Sequence, residues 1–275
     1  MGVCSWSLQA TGPDDLIAKL KACDAKAVQL ALEPLREAKS GSAWDAETTF
    51  AKLAEADITV LSGMMETVGE DYSTLESIKL TGGLRPDAHW KENLGRAKQL
   101  SAICEQFGIG LLTLHAGFLP HDEDDRLRAR LLERLEEIAE TVCSRDIVLG
   151  LETGQEDADT LLTVLDDIDE PMVGANFDPA NMILYNMGDP VAALRTLADS
   201  IVQLHIKDAT YTTKPSTWGA EVPVGTGAVN WDAFFKTLSD LNISGDLVIE
   251  REAGTSRLAD ISTAAKLVRR YVSGA

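Results

Sequence analysis

The sequence predicts a single (βα)8 barrel, and three observations carry that expectation. Short apolar runs alternate with helix-patterned segments along the chain, the arrangement of βα units around a parallel sheet. Eight such runs are present, and each is nearly continuous in apolar residues. Strands of that kind have helices over one face and a packed interior against the other. The third observation is size. A chain of 275 residues with no low-complexity linker and no shift in composition suits one barrel domain over residues 1–275.

The elements follow in order. The first strand candidate is "VCSWSL" (3–8), followed by "DDLIAKLKACD" (14–24), whose apolar residues recur at i, i+3 and i+4. "AVQLAL" (27–32) and "ITVLSGM" (58–64) are the second and third. An unusually long connection, 65–89, comes next, and its length predicts a lid, a binding segment or short helices of its own. "GLLTLHAG" (110–117) is the fourth strand, and the helix pattern at 124–142 is acidic at its start, as a helix N-terminus favours. "IVLGLETG" (147–154), "VGANFDPAN" (173–181), "IVQLHIKD" (201–208) and "DLVIERE" (246–252) supply strands five to eight, and a helix over 257–272 follows. The rival fold, an open doubly wound sheet, would want a glycine-rich turn after its first strand. The GxG at Gly225 and Gly227 lies late in the chain and lacks a third glycine.

Composition narrows the partners. A formal net charge of −19 opposes nucleic acid and anionic membrane surfaces, both polyanions. No apolar run reaches the roughly 18 residues needed to span a bilayer. The opening "MGVCSWSLQATG" lacks the basic and apolar regions of a signal peptide, so a cytoplasmic protein is expected. Cys4, Cys23, Cys104 and Cys143 are scattered without a CxxC pair, which fits reduced thiols rather than a disulfide framework or zinc knuckle. Self-association as a homo-oligomer is left open.

The chemistry sits at the strand ends. Asp178 before Pro179 would by itself read as a turn or helix cap. It has three companions: strand five ends on Glu152, strand seven on His205 and strand eight on Glu250, each directly after an apolar run. Active sites of (βα)8 barrels are built at that C-terminal mouth. Three crowded carboxylates would raise one another's pKa unless a positive charge sat among them. A divalent metal supplies it, and three oxygen donors with one imidazole suit Mn²⁺, Co²⁺ or Mg²⁺ better than a closed structural zinc, with Zn²⁺ remaining an option.

The segments "LETG", "NFDPAN", "LHIKD", "EVPVGTGAVNW" and "LVIERE", in this order, resemble the xylose isomerase-like barrel superfamily of sugar phosphate isomerases and epimerases. The resemblance spans most of the chain and is densest from residue 147 onward. It implies that Glu152, Asp178, His205 and Glu250 bind one divalent metal. It also implies that Glu152 and Glu250 are the acid/base pair of an isomerase or epimerase. The reaction is then proton transfer next to a carbonyl, through a metal-stabilised ene-diolate, on a small carbohydrate or its phosphate. A dehydratase of an inosose or dehydroshikimate-like substrate shares the first step and is the alternative. A non-catalytic sugar-binding barrel is disfavoured by the presence of both glutamates.

The superfamily also holds endonuclease IV-like DNA repair enzymes with three zinc ions, and the chain departs from them. Asn181 stands where their site needs a histidine, and Gly219-Ala220-Glu221 where it needs Asp-x-His; His115 is retained. Asn181 also replaces a substrate-contacting histidine of the ketose 3-epimerases, and it is expected to contact substrate. His115 could hydrogen-bond a substrate oxygen. Trp6 and Gln29 could wall the sugar, and Tyr72 and Trp90 could close over it. Lys207 is expected to face away from the pore by strand alternation, yet it could still reach a neighbouring ligand from behind, and it is counted with Trp6, His115 and Asn181 as a candidate substrate-binding residue. A phosphate could bind near Gly225 and Gly227, since barrel phosphates often use loops seven and eight.

Overall fold

In a computed structural model, described over residues 1–214 and 216–272, the eight runs close into a parallel barrel. Its strands are β1 (Gly2–Cys4), β2 (Ala27–Ala31), β3 (Thr59–Met65), β4 (Leu111–Leu114), β5 (Val148–Glu152), β6 (Val173–Phe177), β7 (Ile201–Ile206) and β10 (Asp246–Ile249). Between the last two lies an antiparallel hairpin, β8 (Asp208–Thr210) with β9 (Ala220–Val222). Around the barrel the order is β1-β10-β7-β6-β5-β4-β3-β2, closed by Gly2 beside Val248.

The helices are α1 (Pro13–Ala22), α2 (Glu33–Glu37), α3 (Ala46–Glu55), α4 (Leu75–Thr81), α5 (Trp90–Phe107) and α6 (Arg126–Cys143). They continue with α7 (Ala158–Ile168), α8 (Pro179–Tyr185), α9 (Pro190–Thr196), α10 (Trp231–Asp240) and α11 (Arg257–Val272). Their registration is local chemistry. Asp45, Asp125, Asp157 and Asp189 each accept a backbone N–H in the first turn of the helix they precede, worth about 1 kcal/mol apiece. On α6, Leu131, Leu135, Ile138 and Val142 recur at helical spacing and are buried, so one stripe of this charged helix faces the barrel.

Two expectations change. The first strand ends at Cys4 rather than residue 8, and residues Ser5–Leu8 wind into a 3-10 turn. Hydroxyls take over from the ladder there: Ser5 Oγ accepts the Ala31 N–H and Ser7 Oγ the Arg251 N–H, both at 2.9 Å. The second concerns the barrel interior, which is polar. Ser62 Oγ on β3 donates to Gln203 Oε1 on β7 at 2.6 Å, and Gln29 Nε2 on β2 donates to Thr113 Oγ1 on β4 at 2.8 Å. Bonds between strands that are not neighbours must cross the inside. Apolar strand residues such as Phe177 face the helices instead, where Phe177 meets Phe234 at 6.3 Å.

The long connection contains α4 and is pinned to the mouth rather than free. Leu84 N–H donates to Ala116 O at 3.0 Å, and Glu70 Oε1 accepts the Gly83 N–H at 2.9 Å. Gly83 has φ +63, and a Cβ there would lie 2.2 Å from the Ala116 carbonyl, so only glycine permits this contact.

Candidate metal centre and active site

The four strand-end residues converge. One donor atom from each of Glu152, Asp178, His205 and Glu250 lies within 4.8 Å of the others, and all four residues are buried. His205 Nδ1 is 3.4 Å from Glu152 Oε1, 3.4 Å from Glu250 Oε2 and 3.7 Å from Asp178 Oδ2. β6 delivers Asp178 in two roles. Its Oδ1 accepts the N–H groups of Ala180 and Asn181 at 2.7 and 3.0 Å, capping α8, while Oδ2 turns into the cluster. The helix-cap reading therefore holds through Oδ1, and it leaves Oδ2 available for the ligand reading.

Two polar atoms in the cluster have no partner. Asp178 Oδ2 and His205 Nδ1 are buried and make no hydrogen bond. Buried polar groups are almost always paired, and two such atoms 3.7 Å apart fit a shared partner such as a divalent ion. The tautomer of His205 agrees. Thr113 Oγ1 donates to Gly63 O at 3.3 Å and so accepts from Gln29 Nε2, which turns Gln29 Oε1 towards His205 Nε2 at 2.8 Å. Asn176 Nδ2 also approaches Nε2, at 3.2 Å, but the shorter contact to an acceptor favours the tautomer with its proton on Nε2, which leaves a lone pair on Nδ1.

Charge points the same way. The carboxylates of Glu152, Asp178 and Glu250 crowd together around His205, and the one ammonium beside them, Lys207, is shared with Glu252 as well. Burial holds the Asp178 carboxyl above its usual range despite Lys207. Burial would also raise Glu152, but His115 and then His205 pull it below. For Glu250 the same penalty is overcome by Lys207 and then His205, which draw it well below the usual range. Burial would depress the His205 imidazole, yet Glu152 foremost among the surrounding groups carries it well above. A set of three carboxylate oxygens and one imidazole nitrogen fits a hard or borderline divalent ion.

Each expected substrate-side residue can now be placed. Trp6, on the 3-10 turn, donates its indole N–H to Glu250 Oε1 at 2.6 Å. Asn181 donates to Glu152 Oε1 at 3.0 Å and accepts from Lys207 at 3.3 Å. His115 Nε2 lies 3.7 Å from Glu152 Oε2. Lys207 corrects the expectation that it faces away: it is buried in the mouth, 2.9 Å from Glu250 Oε2 and 2.7 Å from Glu252 Oε2. Lys207 stands two residues after His205, and a spacing of two returns a strand side chain to the same face. Tyr72 lines the mouth, whereas Trp90 packs outside it under the Arg134 guanidinium, 5.3 Å from the ring centroid. Arg251 turns from Glu250 to bind Glu221 and Asp260 at 2.7 and 3.0 Å.

Other participants went unread in the sequence. Asn176 donates to Glu152 Oε2 at 3.3 Å, and Gln203 donates to Asn176 Oδ1 at 3.1 Å. Their signal was spacing, since Asn176 precedes Asp178, and Gln203 precedes His205, by two residues on the same strand face. Glu252 follows Glu250 by two for the same reason. Tyr185, on α8, had no such signal. Above the cluster opens a cavity of about 640 Å³ walled by Trp6, Tyr72, Tyr185 and several glutamates.

The sequence pattern of the xylose isomerase-like TIM barrel family matches residues 17–271. The chain belongs to that family. This xylose isomerase-like barrel superimposes on the xylose isomerase domain protein from Planctomyces limnophilus with a TM-score of 0.85, at 29% identity over 94% of this chain and 93% of that one. It shares its fold with a xylose isomerase-like TIM barrel protein from Mycobacterium smegmatis in complex with magnesium (TM-score 0.76, 16% identity, 100% and 96% covered). A probable 3-DHS dehydratase, AsbF, from Bacillus anthracis aligns with a TM-score of 0.73 at 16% identity, with 97% of each chain covered. L-ribulose 3-epimerase and the D-psicose 3-epimerase of Clostridium cellulolyticum H10 also share the fold at 16% identity. No curated protein sequence gives a significant match to this xylose isomerase-like barrel. Among its described residues, no helix is long and apolar enough to cross a membrane.

Proposed function

We propose that the protein is a divalent-metal-dependent isomerase or epimerase that moves a proton at the carbon beside a carbonyl in a small polyhydroxy compound. The observation that carries this reading is the pair of orphaned buried atoms, Asp178 Oδ2 and His205 Nδ1, flanked by two glutamates below an open polar cavity. Glu152, Asp178, His205 and Glu250 would hold the ion, Mn²⁺, Co²⁺ or Mg²⁺ by their donor chemistry. When bound, it supplies Lewis-acid stabilisation of the negative charge that proton removal leaves on the substrate oxygens.

The remaining work falls to side chains. Glu152 and Glu250 come from β5 and the end of β10, on different parts of the wall, so they address a bound carbon from two sides. Neighbouring cationic groups draw both below their usual pKa, which favours the carboxylate form that accepts a proton. Each is held at both oxygens: Glu250 by the Trp6 indole and Lys207, Glu152 by Asn181 and Asn176. Such fixation leaves little reorganisation for the reacting step. In each turnover one glutamate enters ionised and takes the proton, while the other enters protonated from solvent and delivers its own proton to the opposite face or to the neighbouring carbon; exchange with solvent then resets the pair. His115, directly after β4 at the cavity wall, would donate to a substrate oxygen.

The sugar 3-epimerases and the probable dehydratase that share this fold support a proton-transfer step on a carbohydrate-like substrate. The test is a panel of ketoses, aldoses and inososes in deuterated solvent with Mn²⁺. Isomerisation or epimerisation leaves product mass unchanged apart from deuterium, whereas dehydration loses water. Glu152→Gln and Glu250→Gln should each lose roughly 10²–10⁴-fold in turnover. Near-wild-type turnover in either variant, on a confirmed substrate, defeats the two-glutamate scheme.

A further inference from the structure

We infer that the substrate of this site is an uncharged polyhydroxy carbonyl compound and not a sugar phosphate. The inference rests on the proposed proton-transfer reading and narrows its substrate class. Two independent features of the mouth carry it.

The first is the glycine turn between β9 and α10, where a barrel of this type would be expected to hold phosphate. The turn does form an anion cradle, and the protein's own Asp208 fills it. Asp208 Oδ2 accepts the N–H of Gly225 at 2.8 Å, the N–H of Gly227 at 3.1 Å and the indole N–H of Trp231 at 3.0 Å. Its Oδ1 accepts the N–H groups of Val229 and Ala209 at 3.2 and 2.9 Å. Asp208 is 1% exposed, and a Cβ at Gly227 would lie 2.1 Å from Oδ1, so the glycine is there to admit this carboxylate. Five donors turned on an internal anion are not available to an external one.

The second is the sign of the cavity wall. Glu33, Glu37, Glu66, Glu70, Glu250 and Glu252 line it, against Lys207 and His115 as the only cationic types among its described lining residues. Lys207 is already shared between Glu250 and Glu252 and accepted by Asn181, which leaves a phosphoryl group no ammonium of its own. A phosphate offers only acceptors and a double negative charge, whereas this wall offers mostly acceptors and negative charge. Hydroxyl groups are the complement: they donate to carboxylates in charge-assisted hydrogen bonds, while Trp6, Tyr72 and Tyr185 present apolar ring faces to the carbon skeleton.

The experiment compares matched pairs on the Mn²⁺-loaded protein, D-allulose with D-allulose 6-phosphate and D-fructose with D-fructose 6-phosphate. Equilibrium binding is read by calorimetry and proton exchange by deuterium incorporation. The free sugar of at least one pair should bind tenfold or more tightly than its phosphate, and the gap should narrow at high salt because like-charge repulsion is screened. Equal or tighter binding of the phosphate overturns the inference while deuterium exchange leaves the proton-transfer reading standing. Preferential binding of the free sugar without exchange supports the inference and defeats the catalytic reading. Neither binding nor exchange in any pair overturns both.

Discussion

Replacing Asp178 by Asn separates the two tasks that its two oxygens perform. Oδ1, which caps α8 through Ala180 and Asn181, is retained by an asparagine, and Asn caps as well as Asp. Oδ2 becomes an amide nitrogen pointing towards His205, which removes one negative charge and one donor atom from the cluster. Without metal, the variant should be at least as stable as the parent, because a buried carboxyl held above its usual range by desolvation is gone. With metal the order reverses. An ion at a hundredfold its dissociation constant stabilises the parent by about 2.7 kcal/mol. For a chain of this size that raises Tm by roughly 5–10 °C. Asp178→Asn should gain almost none of it. Asp178→Ala should lose the metal shift and, in addition, about 1–2 kcal/mol from the missing cap, visible even in chelator. Melting curves of the three proteins, with chelator and with Mn²⁺, resolve both effects. A metal-induced shift in Asp178→Asn equal to the parent's would refute the assignment of Oδ2 as a ligand.

Three further perturbations test the support of the site. Gln29→Leu leaves His205 Nε2 without its acceptor, so it should weaken metal binding about 10–100-fold and cost about 1–3 kcal/mol of stability, read by calorimetry and denaturant melts; unchanged affinity would remove Gln29 from the tautomer argument. Gly83→Ala, at φ +63 against the Ala116 carbonyl, should loosen the segment over 65–89 and raise KM more than it lowers kcat, and an unaltered KM would show the segment does not shape the mouth. Burial pushes the Glu156 carboxyl from 4.5 up to about 8, so the folded chain keeps its proton after the unfolded chain has lost it. Stability should therefore fall as pH rises from about 4.5 to about 8, the unfolded state binding fewer protons throughout that window. Glu156→Gln should lack this part of the fall, and melts showing a constant difference between variant and parent from pH 5 to 8 would contradict it.

What the sequence determined by itself was the barrel and the four strand-end residues that converge at its mouth. Alternating apolar runs and helix patterns are local signals, set by which face of each element must be buried, and the strand ends of β5, β6, β7 and β10 could be read from where apolar residues stop. Asp178 was legible because a carboxylate directly after "VGANF" has no apolar reason to be there. The interior was not legible in the same way. Gln29, Asn176 and Gln203 sit inside otherwise apolar runs, and only closure of the barrel shows that Gln29 on β2 reaches His205 on β7. Lys207 was misassigned by one strand position, although its spacing from His205 already held the answer; its three acceptors come from α8, from Glu250 and from Glu252. The glycine turn read from sequence alone could hold a phosphate, and tertiary contact with Asp208, seventeen residues before Gly225, shows its N–H groups already taken. The division has one physical cause. Burial patterns repeat within a few residues and are written along the chain, whereas hydrogen-bond partners are chosen among groups that only the closed barrel brings within 3 Å.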